Sequence, residues 1–508
     1  MNQSNTIATL MGAGADAAIA IAAPERTPLT FRQLRDHIRR TVDALNRLGI
    51  GRNDRVAIVL ANGPEMAVAF LSVAAAATAA PLNPAYRAEE FEFYLTDLKA
   101  KALLVEGASQ SPAVAVADRL GIGVIEVTVP SIAPAGAFEL KPKTDTPAAA
   151  SLTGMAQPDD VALILHTSGT TSRPKIVPLT QRNVCASAHN IVRTLALGVQ
   201  DRGLNIMPLF HIHGLMAGLL APLAAGGSVY CTPGFNALKF FTWMGDAHPT
   251  WYTAVPTMHQ SILARATRSR DVIAANPLRF VRSSSSSLPP QVIRDLERTF
   301  NAPVIESYGM TEASHQMASN PLPPQARKPG TVGVAAGPEV AIMDERGKLL
   351  GAGQVGEIVI RGANVTAGYE NNAKANADAF VDRWFRTGDQ GVIDADGYLS
   401  ITGRLKEIIN RGGEKISPRE VDEVLMDHAA VQQVVTFAMP HEKLGEEVAA
   451  AVVLRDGAAA TEKELRDFAA ARLSDFKVPR KILFVAEIPK GATGKLQRIG
   501  LAAKLGLR

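Results

Sequence analysis

The chain has 508 residues, 47% hydrophobic and 20% charged, a globular composition too long for one ordinary core. The net charge is only +4 and no long basic block occurs, so nucleic acid is not an expected partner. Cys185 and Cys231 are too few for a disulfide framework or a cysteine-based zinc site, and no apolar run is long enough to span a membrane; the cytoplasm is the expected compartment.

Along the chain the first signal is Thr30-Phe31-Arg32-Gln33, a capping box. Phe31, Leu34, Ile38, Val42, Leu45 and Leu48 then recur at helical spacing, and Gly49 stops the run. Residues 56–60 predict a buried strand, 64–79 a helix opened by Pro64, 89–99 another helix, and 102–105 and 123–127 two further strands. This alternation predicts an α/β architecture with a largely parallel sheet. Residues 130–160, rich in Pro, Ala and Thr, predict an irregular connector.

The strand predicted at 161–165 leads into Thr-Ser-Gly-Thr-Thr-Ser-Arg-Pro-Lys at 167–175, with a helix predicted at 180–195. Strand, hydroxyl- and Gly-rich loop, then helix is an arrangement suited to phosphate: small residues let N–H groups approach an anion, and Arg173 and Lys175 add charge. It is not a Walker loop. Helix and strand alternate to about residue 340. Beyond that, short strands predicted at 339–343, 355–361 and 398–402 suggest a β-rich subdomain. Gly403-Arg404-Leu405-Lys406-Glu407 marks an expected boundary, followed by a compact α+β set of about 100 residues.

Three more motifs carry chemical potential. In Tyr308-Gly309-Met310-Thr311-Glu312, the aromatic can stack on a base and the carboxylate can hold Mg²⁺ beside phosphate oxygens. In Thr387-Gly388-Asp389, an Asp after a tight turn can take both hydroxyls of a ribose. Pro489-Lys490-Gly491-Ala492-Thr493-Gly494-Lys495 presents Lys495 on a Gly-flanked loop.

With Pro208-Leu209-Phe210-His211 added, the order and spacing of these motifs closely resemble the adenylate-forming acyl-CoA synthetases over nearly the whole chain. The resemblance implies a large N-terminal domain of layered α/β sheets with a β-rich subdomain (1–403), a small mobile C-terminal α+β lid domain (404–508) and a hinge at 404–406 including Lys406. It implies ATP, Mg²⁺ and coenzyme A, and two steps: a carboxylate attacks the α-phosphate of ATP, then the CoA thiolate displaces AMP. Thr167, Ser168, Gly169, Thr170, Thr171 and Lys175 would contact the β- and γ-phosphates, Thr311 the α-phosphate, and Glu312 the metal. Tyr308, Gly309 and Ser285 would hold adenine, and Asp389 and Arg404 ribose. Lys495 would bridge carboxylate and α-phosphate, His211 would gate the pocket, and Gly412 and Gly413 would make room for the pantetheine arm. Ser172 and Ile176 stand where the family usually has Gly.

In the segments that line the family's acid pocket, this chain has His211, His213, His259, five consecutive serines at 283–287, and His315. Such a pocket is poor for an alkyl chain, because unpaired buried polar groups are costly. Segments 166–179, 208–219, 250–259, 282–288 and 308–323 resemble the oxalate–CoA ligase subgroup. That resemblance implies oxalate as the acid, its distal carboxylate held by His213, His315 and one or more of Ser284, Ser285 and Ser286. Malonate, glycolate, a carrier protein in place of CoA, and the oligomeric state stay open.

Overall fold

The computed structural model describes residues 5–143, 150, 152–167, 174–489 and 498–507. By mutual packing the chain falls into two compact units: 1–167, 175–339 and 361–379 form the first, and 168–174, 340–360 and 380–508 the second.

The first unit holds two large sheets, of nine and seven strands. Each has a parallel interior and antiparallel edges. Interior strands such as Trp251–Ala254 and Phe280–Ser283 are buried throughout, as parallel strands covered on both faces must be. The helix Phe31–Arg47 begins at the expected box: Gln33 N–H donates to Thr30 Oγ1 (3.3 Å), and Thr30 N–H donates back to Gln33 Oε1 (2.9 Å). Its periodic residues Phe31, Leu34, Ile38, Val42 and Leu45 are buried.

Two expectations are corrected here. The helix expected over 64–79 ends at Ala76, and Thr78–Pro81 is a buried strand between Arg55–Val59 and Val161–Thr167. A run of alanines carries no period, so the sheet decides where the helix stops. The second correction bears on function. Thr167 is not followed by a loop running into a helix. Lys175–Thr180 is a strand that returns antiparallel to Val161–Thr167, with Lys175 opposite Thr167. The helix Gln181–Thr194 starts only after it, capped by Thr180. The described strands on either side of the hydroxyl-rich stretch pair as a hairpin and, among the described residues, the next helix starts only at Gln181, so the helix-dipole argument for phosphate does not apply.

The second unit contains a six-stranded and a five-stranded sheet. In the first of these, Trp384–Ile393 pairs with both Gly356–Arg361 and Leu399–Arg404. The C-terminal sheet is built on the long pair Val431–His441 and Gly445–Leu454, with Pro418–Met426 and Glu462–Ala470 contributing Val421, Leu425, Leu465 and Ala469 to its core. The expected α/β class with a β-rich part and a C-terminal α+β part is what the chain adopts. No helix among the described residues is long and apolar enough to cross a membrane.

Candidate active site

Three groups of functional side chains emerge, two on the first unit and one on the second. The first begins at the hairpin base. Lys175 Nζ lies 4.2 Å from the centroid of the Tyr369 ring, and the Tyr369 hydroxyl donates to Glu312 Oε1 (2.9 Å). Burial beside the Glu312 carboxylate drives the Tyr369 phenol far above its ordinary pKa, so it stays a donor. Glu312 is buried on the short turn Thr311–Ala313, and Thr366 N–H donates to its main-chain oxygen (2.7 Å). Thr311, Tyr308 and Gly309 flank it on the same strand-to-turn segment. Thr167, Lys175 and Glu312 are thus brought into one neighbourhood by Tyr369. Ser168, Gly169, Thr170 and Thr171 lie outside the described residues.

The second group is a buried polar floor. Arg282, on Phe280–Ser283, is fully buried. Its Nη1 donates to His213 Nε2 (3.2 Å) and Thr253 Oγ1 (3.4 Å), and its Nη2 to His315 Nε2 (3.1 Å) and Gln316 Oε1 (3.3 Å). The two imidazoles stack, with centroids 4.8 Å apart and planes 18° from parallel. His213 also contacts Thr253 Oγ1 through Nε2 (2.7 Å) and Ser285 Oγ through Nδ1 (3.0 Å). Among the described residues no carboxylate pairs with Arg282; burial alone pushes its guanidinium down to about 9, still charged at neutral pH. Burial, with the neighbouring charges of His315 and Arg282, holds His213 well below the usual histidine range.

The five serines divide by environment. Ser283 and Ser284 are buried, and Ser284 Oγ donates to the Ser307 carbonyl (2.9 Å), so it is spent on the fold. Ser285 sits half-buried with a positive φ of 73°, and Ser286 is exposed. The floor thus brings together His213, Ser285 and His315. Ser284 faces a backbone carbonyl instead. His211 caps the short helix Ile212–Leu215, and its ring lies 4.6 Å from that of Phe210.

The third group belongs to the second unit. Asp389 and Arg404 face each other across paired strands, and Arg404 Nε donates to Asp389 Oδ1 (3.0 Å). Thr387 Oγ1 accepts from Asp389 N–H (3.1 Å) and donates to the Ile358 carbonyl (2.8 Å), so the turn is braced from beneath. Lys406 lies exposed in the turn after this strand. Gly412 and Gly413, with φ of 60° and 101°, form the two-residue turn between Ile409–Arg411 and Glu414–Ile416. Lys495 lies outside the described residues. Arg498, just beyond it, binds Asp422 (2.6 Å), Glu407 (3.3 Å) and the Thr436 carbonyl (2.8 Å).

Sequence reasoning passed over Arg282, Thr253, Gln316 and Tyr369. Arg282 stood at the edge of the serine run, and an Arg on an apolar strand was itself a signal, because burying a charge needs a reason. Tyr369 had no signal; it reaches Glu312 only through the fold.

Hairpin, polar floor and carboxylate–guanidinium pair sit on a chain whose residues 12–370 match the family model for AMP-binding enzymes. Residues 420–495 match the C-terminal domain of the same enzymes. The chain belongs to the AMP-binding enzyme family. It is 46% identical to an oxalate–CoA ligase of Arabidopsis thaliana, over 94% of each chain. It is 42% identical to an oxalate–CoA ligase of Saccharomyces cerevisiae, over 94% of this chain and 93% of that one. Its fold is similar to that of ATP-bound MatB from Rhodopseudomonas palustris, with a TM-score of 0.87 and 28% identity over 98% of each chain.

Proposed function

We propose that this enzyme joins oxalate to coenzyme A. Oxalate and ATP give oxalyl-adenylate and pyrophosphate; CoA then gives oxalyl-CoA and AMP. The observation that carries this reading is the buried floor of His213, Thr253, Arg282, His315 and Gln316. An alkyl or aromatic acid seated there would leave the buried Arg282 charge uncompensated, which is costly. A second carboxylate offsets that cost.

The chain's own residues take these roles in the proposal. Thr167, Ser168, Gly169, Thr170, Thr171 and Lys175 grip the departing pyrophosphate. Thr311 touches the α-phosphate, and Tyr308, Gly309 and Ser285 seat adenine. Asp389 accepts from the ribose hydroxyls, and Arg404 holds that carboxylate in place. Two anions must meet in the first step, so Lys495 between them lowers repulsion and stabilises charge on the phosphoryl oxygens. A rotation about 404–406 then withdraws Lys495 and brings in the Gly412–Gly413 turn for the thiol, with His211 at the passage. The division at 403 and 404 rests on that hinge.

Glu312 would hold Mg²⁺ against the phosphates. Among the described residues no cluster of three or more His, Cys, Asp or Glu could hold a metal by itself. One buried carboxylate with substrate phosphates is how Mg²⁺ is usually bound in such sites. Bound there, it would neutralise phosphate charge. Cys185 and Cys231, both buried and free, fit a reducing cytoplasm.

Pyrophosphate release across C2 to C8 acids tests the reading. Oxalate should give the highest kcat/KM. A large advantage for octanoate or 4-coumarate would overturn it, and one for malonate or glycolate would move the assignment to that acid.

A further inference from the structure

We propose that Arg282 sets which acids this enzyme accepts, as a positioning residue that holds His213 and His315 as Nδ1–H donors and supplies a buried formal charge to the floor. The proposal rests on the reading above, that the acid enters beside these two histidines.

A guanidinium has five N–H donors and no acceptor. Both imidazole Nε2 atoms lie within hydrogen-bond distance of Arg282, at 3.2 and 3.1 Å, and accept in those two bonds; Thr253 Oγ1, 2.7 Å from His213 Nε2, then donates to that nitrogen as well. Each neutral ring then carries its proton on Nδ1. His213 Nδ1–H donates to Ser285 Oγ (3.0 Å), which leaves the Ser285 hydroxyl hydrogen to be aimed elsewhere from a half-buried position. His315 Nδ1 lies beside Gly309, where a Cβ would stand 3.2 Å from it, so it sits next to the Tyr308–Glu312 segment. One cation thus orients two rings and, through one ring, a hydroxyl.

The second link is charge. Arg282 is buried and unpaired by any described carboxylate, and its Nε finds no acceptor. Burying an uncompensated charge is expensive, and an incoming anion relieves that cost where a neutral group does not. Among the described residues, the charged and titratable groups acting on His213 are His315, Arg282, His259 and His211. None is acidic. Protonating either stacked imidazole would place a second cation against Arg282 and remove the acceptor Arg282 needs. Selection for a dianionic acid therefore comes from a permanent charge, and is expected not to track histidine titration.

The experiment compares oxalate with glycolate, which has the same two-carbon frame and a hydroxyl in place of one carboxylate. In Arg282→Gln, kcat/KM for oxalate is expected to fall on the order of 100-fold, chiefly through KM. Glycolate, which loses the oriented donors but no ion pair, should fall by clearly less, so the ratio of oxalate to glycolate drops. Arg282→Lys, which keeps the charge and loses the fork, should recover part of the ratio. In wild type, KM for oxalate should be flat between pH 6 and 8. Nitrogen-15 NMR of histidine-labelled wild type should show both rings as Nδ1–H tautomers, and this readout stands even if the Gln variant does not fold. A folded Arg282→Gln variant that keeps the oxalate-to-glycolate ratio overturns the proposal, as does a proton on Nε2 of either ring. A wild type without preference for oxalate over glycolate sinks the functional reading instead, while the tautomers still report on Arg282.

Discussion

Gly309 has room for a hydrogen and little more. A Cβ at this position would fall 1.9 Å from the His315 carbonyl oxygen, just where the pairing of Val304–Met310 with His315–Ser319 shifts register. Gly309→Ala must push these strands apart, at about 1–3 kcal/mol of stability. Because His315 moves with them, KM for the acid should rise under its proposed acid-binding role, which steady-state kinetics beside urea unfolding will measure. At Tyr369 the relevant atom is one hydroxyl. Tyr369→Phe leaves buried Glu312 without its 2.9 Å donor, at about 1–3 kcal/mol. Under the proposed metal role, the Mg²⁺ concentration for half-maximal pyrophosphate release should rise; an unchanged requirement would separate Tyr369 from metal binding.

At the scale of elements, the C-terminal sheet is tied to the strand Leu399–Arg404 by polar clasps. Arg419 Nη1 donates to the Ile401 carbonyl (2.8 Å), and Ser417 Oγ to that of Thr402. Arg498 joins the helix Pro418–Met426, through Asp422, to Glu407. Arg498→Met would leave the Asp422 carboxylate buried without its cation, a change costing about 3–5 kcal/mol. Hydrogen exchange should then show Pro418–Met426 and Val431–His441 opening before the parallel sheets of the first unit. The Gly412–Gly413 turn is simpler. A Cβ at Gly413 would meet nothing, so Gly413→Ala carries only the backbone cost of φ near 101°, about 1–2 kcal/mol. If the turn lines the thiol's path, KM for CoA should rise as well.

At the scale of the whole molecule, acid is the expected weakness. Burial lowers His37 to about 4 and His259 to about 3, and both lie in the first unit. In the unfolded chain each titrates near 6.5. Below 6.5 the unfolded state therefore binds more protons than the folded one, and stability falls as pH falls toward the folded values. His37 alone contributes a loss of about 2 kcal/mol between pH 7 and 5. Urea unfolding at these two pH values should show a drop at least this large, and His37→Gln should reduce it.

The family and the order of its motifs were legible before any fold was known, because hydroxyls, glycines and charges at fixed spacing report local chemistry. Helices with caps and a strong period, such as Phe31–Arg47, were legible for the same reason. What the sequence could not decide was which residues meet across distance. An Ala run could be helix or strand until Thr78–Pro81 found its partners in the sheet. The 167–175 stretch pointed to phosphate, but only the pairing of Lys175–Thr180 with Val161–Thr167 showed that a strand and not a helix follows it. Serines that looked alike at 283–287 were sorted by burial, and Arg282 became the centre of the buried polar floor only when segments 29 to 69 residues away brought Thr253, His213, His315 and Gln316 to it. Local hydrogen bonding and hydrophobic period are written along the chain; a buried charge and its ligands are set by tertiary packing, which alone decides what lies beside what.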